Sequence, residues 1–381
     1  MRADADMRAA LALAWVSADG SRRPLELLKD HDPLSIWRAR EDTLAEWAAR
    51  DDLDGRTDWI GSFCRRRRHF DAREAVGRLR GAGAHFVAWG TESYPPGLSQ
   101  LKQPPAGLFV RGDLDLWEAI LTMARVAIVG TRRPTPYALA VSRALSEGFA
   151  AAGVVTVSGM AYGVDEKVHE GTLVARGLTV AILGCGADLV YPRRHADLRD
   201  RIAASGAVIS ELPPGTRAAK WTFPQRNRLL AALGDALVVV QAGERSGALS
   251  TAGHALELGR EVFVVPGSML GDAHLGGHRL LRDGATVCVS VDETVQDFFD
   301  LTRILRHGRG PARRTLGGAT PPPLMPEEAL VFMALAGGVR SIDDVAASTG
   351  LGVSEAAGVL TLLEMSGRVV RKGPGQFGLG P

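Results

Sequence analysis

The chain has 381 residues, 46% of them hydrophobic and 23% charged. That is the composition of a folded globular protein, and the length exceeds what one ordinary core accommodates, so two or three domains are expected. Its 45 basic and 43 acidic residues leave a net charge of +2, which excludes a polycation and confines any nucleic-acid footprint to a local patch. The three cysteines, Cys64, Cys185 and Cys288, lie far apart and form no CxxC pair, which argues against a disulfide framework or zinc site and for a reducing compartment. No stretch is long and apolar enough to span a bilayer, and Asp4 and Asp6 precede the short apolar run Ala9 to Val16, unlike a signal peptide. The expected location is cytoplasmic.

Residues 1–84 read as a small helical domain, of the SAM or helix-hairpin-helix kind. Leu11 to Val16, Leu25 to Leu28 and Ile36 to Trp47 show helical spacing, broken by Gly20, Pro24 and Pro33. The run Arg65 to Arg68 reads as a solvated helix face partnered by Asp71 and Glu74. His85 to Ala88 and Leu108 to Val110 are strand candidates. The organising stretch follows, Val126 to Pro134: four apolar residues, Gly130, then Thr131-Arg132-Arg133-Pro134 ahead of a helical pattern from Ala138 to Ala152. A strand, a sharp glycine turn and a helix start make half of a βαβ unit. Amides at such a turn, beside the positive end of a helix and next to two arginines, form an anion site.

Further strand candidates are Val154–Val157, Thr179–Leu183, Ala207–Ile209, Ala236–Val240, Val262–Val265 and Thr286–Val289. Helical patterns separate them at Glu166–Ala175, Ala196–Ala204, Asn227–Leu233, Thr251–Leu258 and around Arg279. Gly153, Gly177, Gly206, Gly259 and Gly284 each precede a strand, as C-terminal helix caps. Strands apolar on both faces and alternating with helices predict an α/β fold, an extended Rossmann-like doubly wound parallel sheet, over residues 85–300. Residues 301–323, rich in arginine and proline, read as a linker. Residues 324–381 read as a winged helix: helices at Glu327–Ala336, Ser341–Ser348 (Ser341 as cap) and Gly352–Ser366, then Arg368–Arg371 paired with Gln376–Leu379.

Ligands meet a doubly wound sheet at the carboxyl ends of its strands. The loops there carry Gly130-Thr131-Arg132; Ser158-Gly159-Met160-Ala161-Tyr162-Gly163; and Ser246-Gly247, where Ser246 offers a hydroxyl and caps a helix from Thr251. The stretch from Lys220 and Trp221 to Phe223, Arg226, Asn227 and Arg228 reads as one loop interleaving basic and aromatic residues, which suits phosphates and bases of a single strand. No GxGxxG follows the first strand and no GxxxxGK[ST] occurs, so no nucleotide cofactor is implied. Asp165 and His169, four apart, read as an N-cap and a helix residue and not as a metal pair; Gly276 and Gly277 argue against a rigid helix joining His274 to His278. No nucleophile–base–orienter set emerges, and neither a catalytic centre nor a metal is expected.

Together the stretches VAIVGTRRPT, VSGMAYGVDEKVHEGTL, LGCGADLVYP, SELPPG, FPQRNRLL, SGALSTA and REVFVVPGS, with Tyr94-Pro95 and Pro105 to Gly112, resemble the bacterial DprA (Smf) family over Tyr94 to Val291. The resemblance implies a non-enzymatic homodimer that binds single-stranded DNA and loads the recombinase RecA onto it in natural transformation. It implies that Gly130, Thr131 and Arg132 form the DNA pocket's turn, Ser158 to Gly163 a second wall, and Phe223, Arg226, Asn227 and Arg228 a basic rim. Three positions depart from the family pattern: Tyr162 for lysine or arginine, which trades a phosphate contact for stacking; Gly276-Gly277-His278 for glycine–threonine–asparagine; and Gln241 for an acidic residue. The winged helix lacks basic residues from Gly352 to Ser366, which favours protein docking or weak phosphate contact over duplex reading. The alternative is a nucleoside-monophosphate phosphoribohydrolase of a related Rossmann family, whose PGGxGTxxE pattern Pro266-Gly267-Ser268 does not complete.

Overall fold

The structure, a computed structural model, describes residues 2–18, 23–51, 53, 58–305, 330–331, 334–335, 340–365, 369–373 and 375–379. It divides into two compact units, Met1–Gly308 and Arg309–Pro381.

The first unit opens with helices α1 Arg2–Val16, α2 Arg23–Glu26, α3 Pro33–Arg38, α4 Glu41–Arg50, α5 Asp58–Arg68 and α6 Ala72–Gly81. Leu13, Leu27, Ile36, Leu44 and Phe63 bury their apolar stripes in a cluster that also takes in Phe109 and Ala187 from further along the chain. Of the arginine run, Arg67 does not face solvent alone: its guanidinium donates to the carbonyls of Trp37 and Ala39, tying α5 to the end of α3.

Nine strands follow: β1 His85–Ala88, β2 Gly107–Gly112, β3 Arg125–Val129, β4 Val155–Ser158, β5 Thr179–Ile182, β6 Gly206–Ser210, β7 Ala236–Val239, β8 Glu261–Val264 and β9 Thr286–Val287. They form one sheet in the order β1-β2-β6-β5-β4-β3-β7-β8-β9. β2 runs antiparallel to β1 and β6, and the other pairs are parallel. Between the strands lie α7 Pro96–Ser99, α8 Leu114–Thr122, α9 Pro136–Ala151, α10 Val164–Val174, α11 Ala196–Ala204, α12 Thr222–Leu233, α13 Gly247–Glu257, α14 Leu275–Arg282 and α15 Val291–Leu305.

The two-residue period of a strand sends alternate residues of β3 to opposite faces. Ala127 and Val129 pack with Leu229 to Leu233 of α12 and with Ala252 and Ala255 of α13. Val126 and Ile128 pack with Leu145 and Phe149 of α9, Val168 of α10 and Phe298 of α15. This is the doubly wound arrangement that the unbroken apolar strands predict.

Four local readings are corrected. Leu301 to Leu305 are not linker but the end of α15; Phe298 packs edge-to-face on Phe149 with centroids 5.4 Å apart, which holds that helix on the sheet. The expected linker from residue 306 onward lies outside the described residues. α14 is helical despite Gly276 and Gly277, because the glycines let it lie against the chain at 242–243: a Cβ on Gly276 would sit 2.5 Å from the Gly243 carbonyl. Gly206 is no cap but the first residue of β6, where a Cβ would sit 2.0 Å from the Thr179 carbonyl. Asp165 lies inside the first turn of α10, whose N-cap is Gly163.

In the second unit, β10 Arg340–Ser341, β12 Gln376–Leu379 and β11 Val369–Gly373 form a three-stranded sheet in that order. Helices α16 Ile342–Thr349 and α17 Val353–Met365 pack on it through Val345, Leu360, Leu363 and Phe377. Ser341 and Asp344 form a reciprocal capping box at the start of α16. Most of the expected Glu327–Ala336 helix, and Arg368, lie outside the described residues.

Candidate nucleic-acid interface

The strand order places the sheet's switch point at β3. β4, β5 and β6 extend to one side of it and β7, β8 and β9 to the other. The loops leaving β3 and β7 therefore diverge, and the crevice between them is where a doubly wound sheet takes ligands. A cavity of about 830 Å³ lies there.

One wall is the turn after β3. Gly130 is required by packing: a Cβ there would come within 2.6 Å of Val164. Thr131 donates its amide to the Gln241 carbonyl (2.9 Å), and the Gln241 side chain accepts from the Thr135 amide (2.9 Å) at the cap of α9. A neutral amide oxygen thus holds the helix start. Gly163 (φ +85°) closes the same corner, where a Cβ would meet Pro134 at 2.7 Å.

The second wall is α12. The helix expected from Asn227 begins five residues earlier, at Thr222, so that Phe223 to Arg226, read from the sequence as loop, form its start, with Pro224 in the first turn, where proline's missing amide costs nothing. Helical periodicity then separates its residues. Phe223, Arg226, Asn227 and Leu230 face the cavity. Arg228 points elsewhere: it is buried, donates to the Gln103 carbonyl and pairs with Glu211. The expectation of a basic rim is thereby corrected for Arg228. It is corrected in part for Arg226, which is only 5% exposed and forms the floor. Its guanidinium donates to the carbonyls of Gly159 (2.6 Å) and Ile182. A Cβ on Gly159 would lie 2.1 Å from that guanidinium, so the glycine makes room for it.

The third wall is the β7–α13 loop. Ser246 caps α13 directly, its hydroxyl accepting from the Ala248 amide, so this helix begins four residues earlier than the Thr251 expected from sequence. Its positive end, with Ser246, Gly247 and Ala248, opens on the cavity. Asn227 donates to the Gly247 carbonyl (3.1 Å), joining the second and third walls.

Of the predicted residues, Gly130, Thr131, Arg132, Ala161, Phe223, Arg226, Asn227, Ser246 and Gly247 line the cavity. Ser158 and Met160 lie fully buried behind it: the Ser158 hydroxyl donates to the Ile128 carbonyl, and Met160 holds a positive φ of 55°. Tyr162 is 39% exposed outside the cavity. Arg133, Asp165, Tyr191, Lys220 and Arg245 also line it; for all but Tyr191 the signal was position, each lying within three residues of a predicted one, whereas Tyr191 reaches the cavity only through the tertiary fold.

Charge is distributed unevenly. Among the described residues, Arg132, Arg133, Lys220 and Arg245 are exposed and form no ion pair. Arg132 lies over the Phe223 ring, 4.6 Å from its centroid, a cation–π contact. Asp165 is the buried counter-charge; burial pushes its carboxyl above the ordinary value, against the opposing pull of Arg226, the Ala161 amide, Ser158 and Arg132. Burial likewise pulls Arg226 below its usual value, while Asp165 works to raise it. His169 is not paired with Asp165. It bonds the Thr179 hydroxyl (2.7 Å) in the core, where burial first, then His195 and Arg226, push it down to about 3. No group of three or more His, Cys, Asp or Glu placed to hold a metal ion occurs among the described residues.

A Rossmann-like sheet with a crevice lined by arginines and a lysine at its switch point, followed by a winged helix, defines the class. Residues 85–299 match the family model described as DNA recombination-mediator protein A, and residues 318–375 match the DprA winged helix domain. The chain is 38% identical to the DNA processing protein DprA of Bacillus subtilis over 219 residues, 57% of this chain and 72% of that one. The crystal structure of DprA from Streptococcus pneumoniae superposes with a TM-score of 0.61 at 29% identity, covering 74% of this chain and 95% of that one. A DprA structure from Helicobacter pylori, described in terms of its single-stranded DNA binding mode, superposes at 0.52 with 31% identity, covering 57% and 98%. The chain belongs to the DprA family.

Proposed function

We propose that this chain binds single-stranded DNA in the switch-point cavity, with Arg132, Arg133, Lys220 and Arg245 taking backbone phosphates and Phe223 supplying an aromatic face. The observation that carries the reading is convergence. Four exposed cations that form no ion pair among the described residues, Arg132, Arg133, Lys220 and Arg245, line one cavity together with Phe223 and the start of α13. Unpaired guanidinium groups beside an aromatic ring and a helix N-terminus suit a polyanion with unstacked bases. The H. pylori relative, whose structure concerns single-stranded DNA, supports the same class of ligand. From the family resemblance we further infer a homodimer that hands the strand to RecA, with no chemical step on the DNA.

The test is fluorescence anisotropy with single-stranded and duplex oligonucleotides across a salt series. Each phosphate contact on a single strand contributes about −0.7 to the slope of log affinity against log salt, so four contacts give about −3. Arg132→Ala should weaken binding about tenfold and flatten that slope by about 0.7. Equal affinity for single strand and duplex, or an Arg132→Ala variant indistinguishable from wild type, overturns the reading.

A further inference from the structure

A second aromatic–guanidinium stack stands outside the cavity. The Arg194 guanidinium lies over the Tyr162 ring, 4.2 Å from its centroid. The buried His195 meets the same ring edge-on at 5.3 Å. His195 is itself fixed, donating from Nδ1 to the Met160 carbonyl (3.0 Å) with Nε2 3.3 Å from Glu166. Met160 holds its left-handed backbone at the same point, and such backbone strain collects at ligand-handling sites. With these neighbours in place Tyr162 remains 39% exposed. Three residues before Arg194, Tyr191 is 47% exposed, lines the cavity, and tilts against Phe223 at 5.3 Å. The short segment from Tyr191 to His195 therefore bridges two stacks: Arg132–Phe223–Tyr191 at the cavity and Arg194–Tyr162 beyond it.

The two stacks differ in charge. Arg132 forms no ion pair among the described residues, whereas Arg194 donates to both carboxylate oxygens of Glu166, at 3.3 and 3.0 Å. A neutralised guanidinium gains little from a phosphate, and what it offers is a rigid platform behind a half-exposed ring. We propose that Tyr162, backed by Arg194 and Glu166, is an outer station that stacks a base of the same strand, and that Tyr191 carries the strand between the two stations. This rests on the cavity being the phosphate site for single-stranded DNA.

The experiment measures affinity of the full chain for dye-labelled oligothymidylates of stepwise increasing length. Wild type is expected to show two rises with length, one for filling the cavity and one for reaching the outer station. Tyr162→Ala should bring the long oligomers down about 5- to 100-fold, to the level wild type shows for short ones, since base–aromatic stacking is worth that much per base. Tyr162→Phe should keep both rises, which shows that a ring is needed and guards against a folding defect. Arg194→Ala should shrink the second rise without changing the salt slope. Wild-type affinity of Tyr162→Ala for long oligomers, or a loss by the same factor at every length, overturns the outer station. Wild-type binding by Arg132→Ala at every length overturns the cavity reading, whatever Tyr162 does.

Discussion

Two arginines face the same cavity and are expected to fail in opposite ways. Arg226→Ala removes a buried guanidinium together with its hydrogen bonds to the carbonyls of Gly159 and Ile182, and leaves Asp165 buried without its principal counter-charge. Charge-assisted bonds contribute about 1.5–3 kcal/mol each, and stranding one partner of a buried pair costs about 3–5 kcal/mol. These terms overlap, so a loss of about 3–5 kcal/mol is the reasonable sum. At about 2–4 °C per kcal/mol for a domain of this size, the melting temperature should fall by about 6–20 °C. Arg132 is exposed and stacks on the Phe223 ring without an ion pair among the described residues, so Arg132→Ala should change stability by less than about 0.5 kcal/mol while weakening strand binding. Thermal melts of both variants beside anisotropy titrations decide the matter. An Arg226→Ala protein that melts with wild type and loses only DNA affinity would show that Arg226 is a contact and not a floor.

Two more outcomes concern protons. Because burial holds Asp165 above the ordinary carboxylate value, its protonation as pH falls should set in above that value and make the cavity more positive, so strand affinity rises as pH falls. Asp165→Asn should bind about 2- to 10-fold tighter at neutral pH and lose this pH response, and parallel pH profiles would count against the assignment. His169 is held near 3 in the native state against 6.5 in an unfolded chain. Its contribution is therefore fully present above about pH 6.5 and drains away at up to about 1.4 kcal/mol per pH unit as the pH falls toward 3. Urea midpoints between pH 7 and 4 should drop less steeply for His169→Gln, and equal steepness would refute the buried neutral imidazole.

The sheet was legible because its strands are short β-branched runs ended by glycine, a signal that depends on neighbours in sequence. β3 and the Gly130 turn could be placed that way, as could the capping serine at 341. The start of α12 could not. Thr-Phe-Pro-Gln-Arg-Asn-Arg has no apolar period, and its helical form is imposed by what it packs on: the Gly159 and Ile182 carbonyls under Arg226, and Glu211 with Gln103 around Arg228. Those partners lie 17 to 125 residues away, beyond any local pattern. Reading the stretch as a loop put both arginines at the mouth; the helix sends both inward. The glycines at 276 and 277 misled for a related reason. Glycine normally weakens a helix, but here it allows two backbones to touch.

One helix thus serves two neighbourhoods that share no ligand. Arg226 of α12 underpins the cavity, and Arg228, two residues on, reaches Gln103, whose amide in turn donates to the buried Glu26 of α2 at 2.7 Å. The N-terminal helices are thereby tied to the helix that carries the cavity floor. A substitution at Glu26, which does not line the cavity, would loosen the seating of its floor through Gln103 and Arg228.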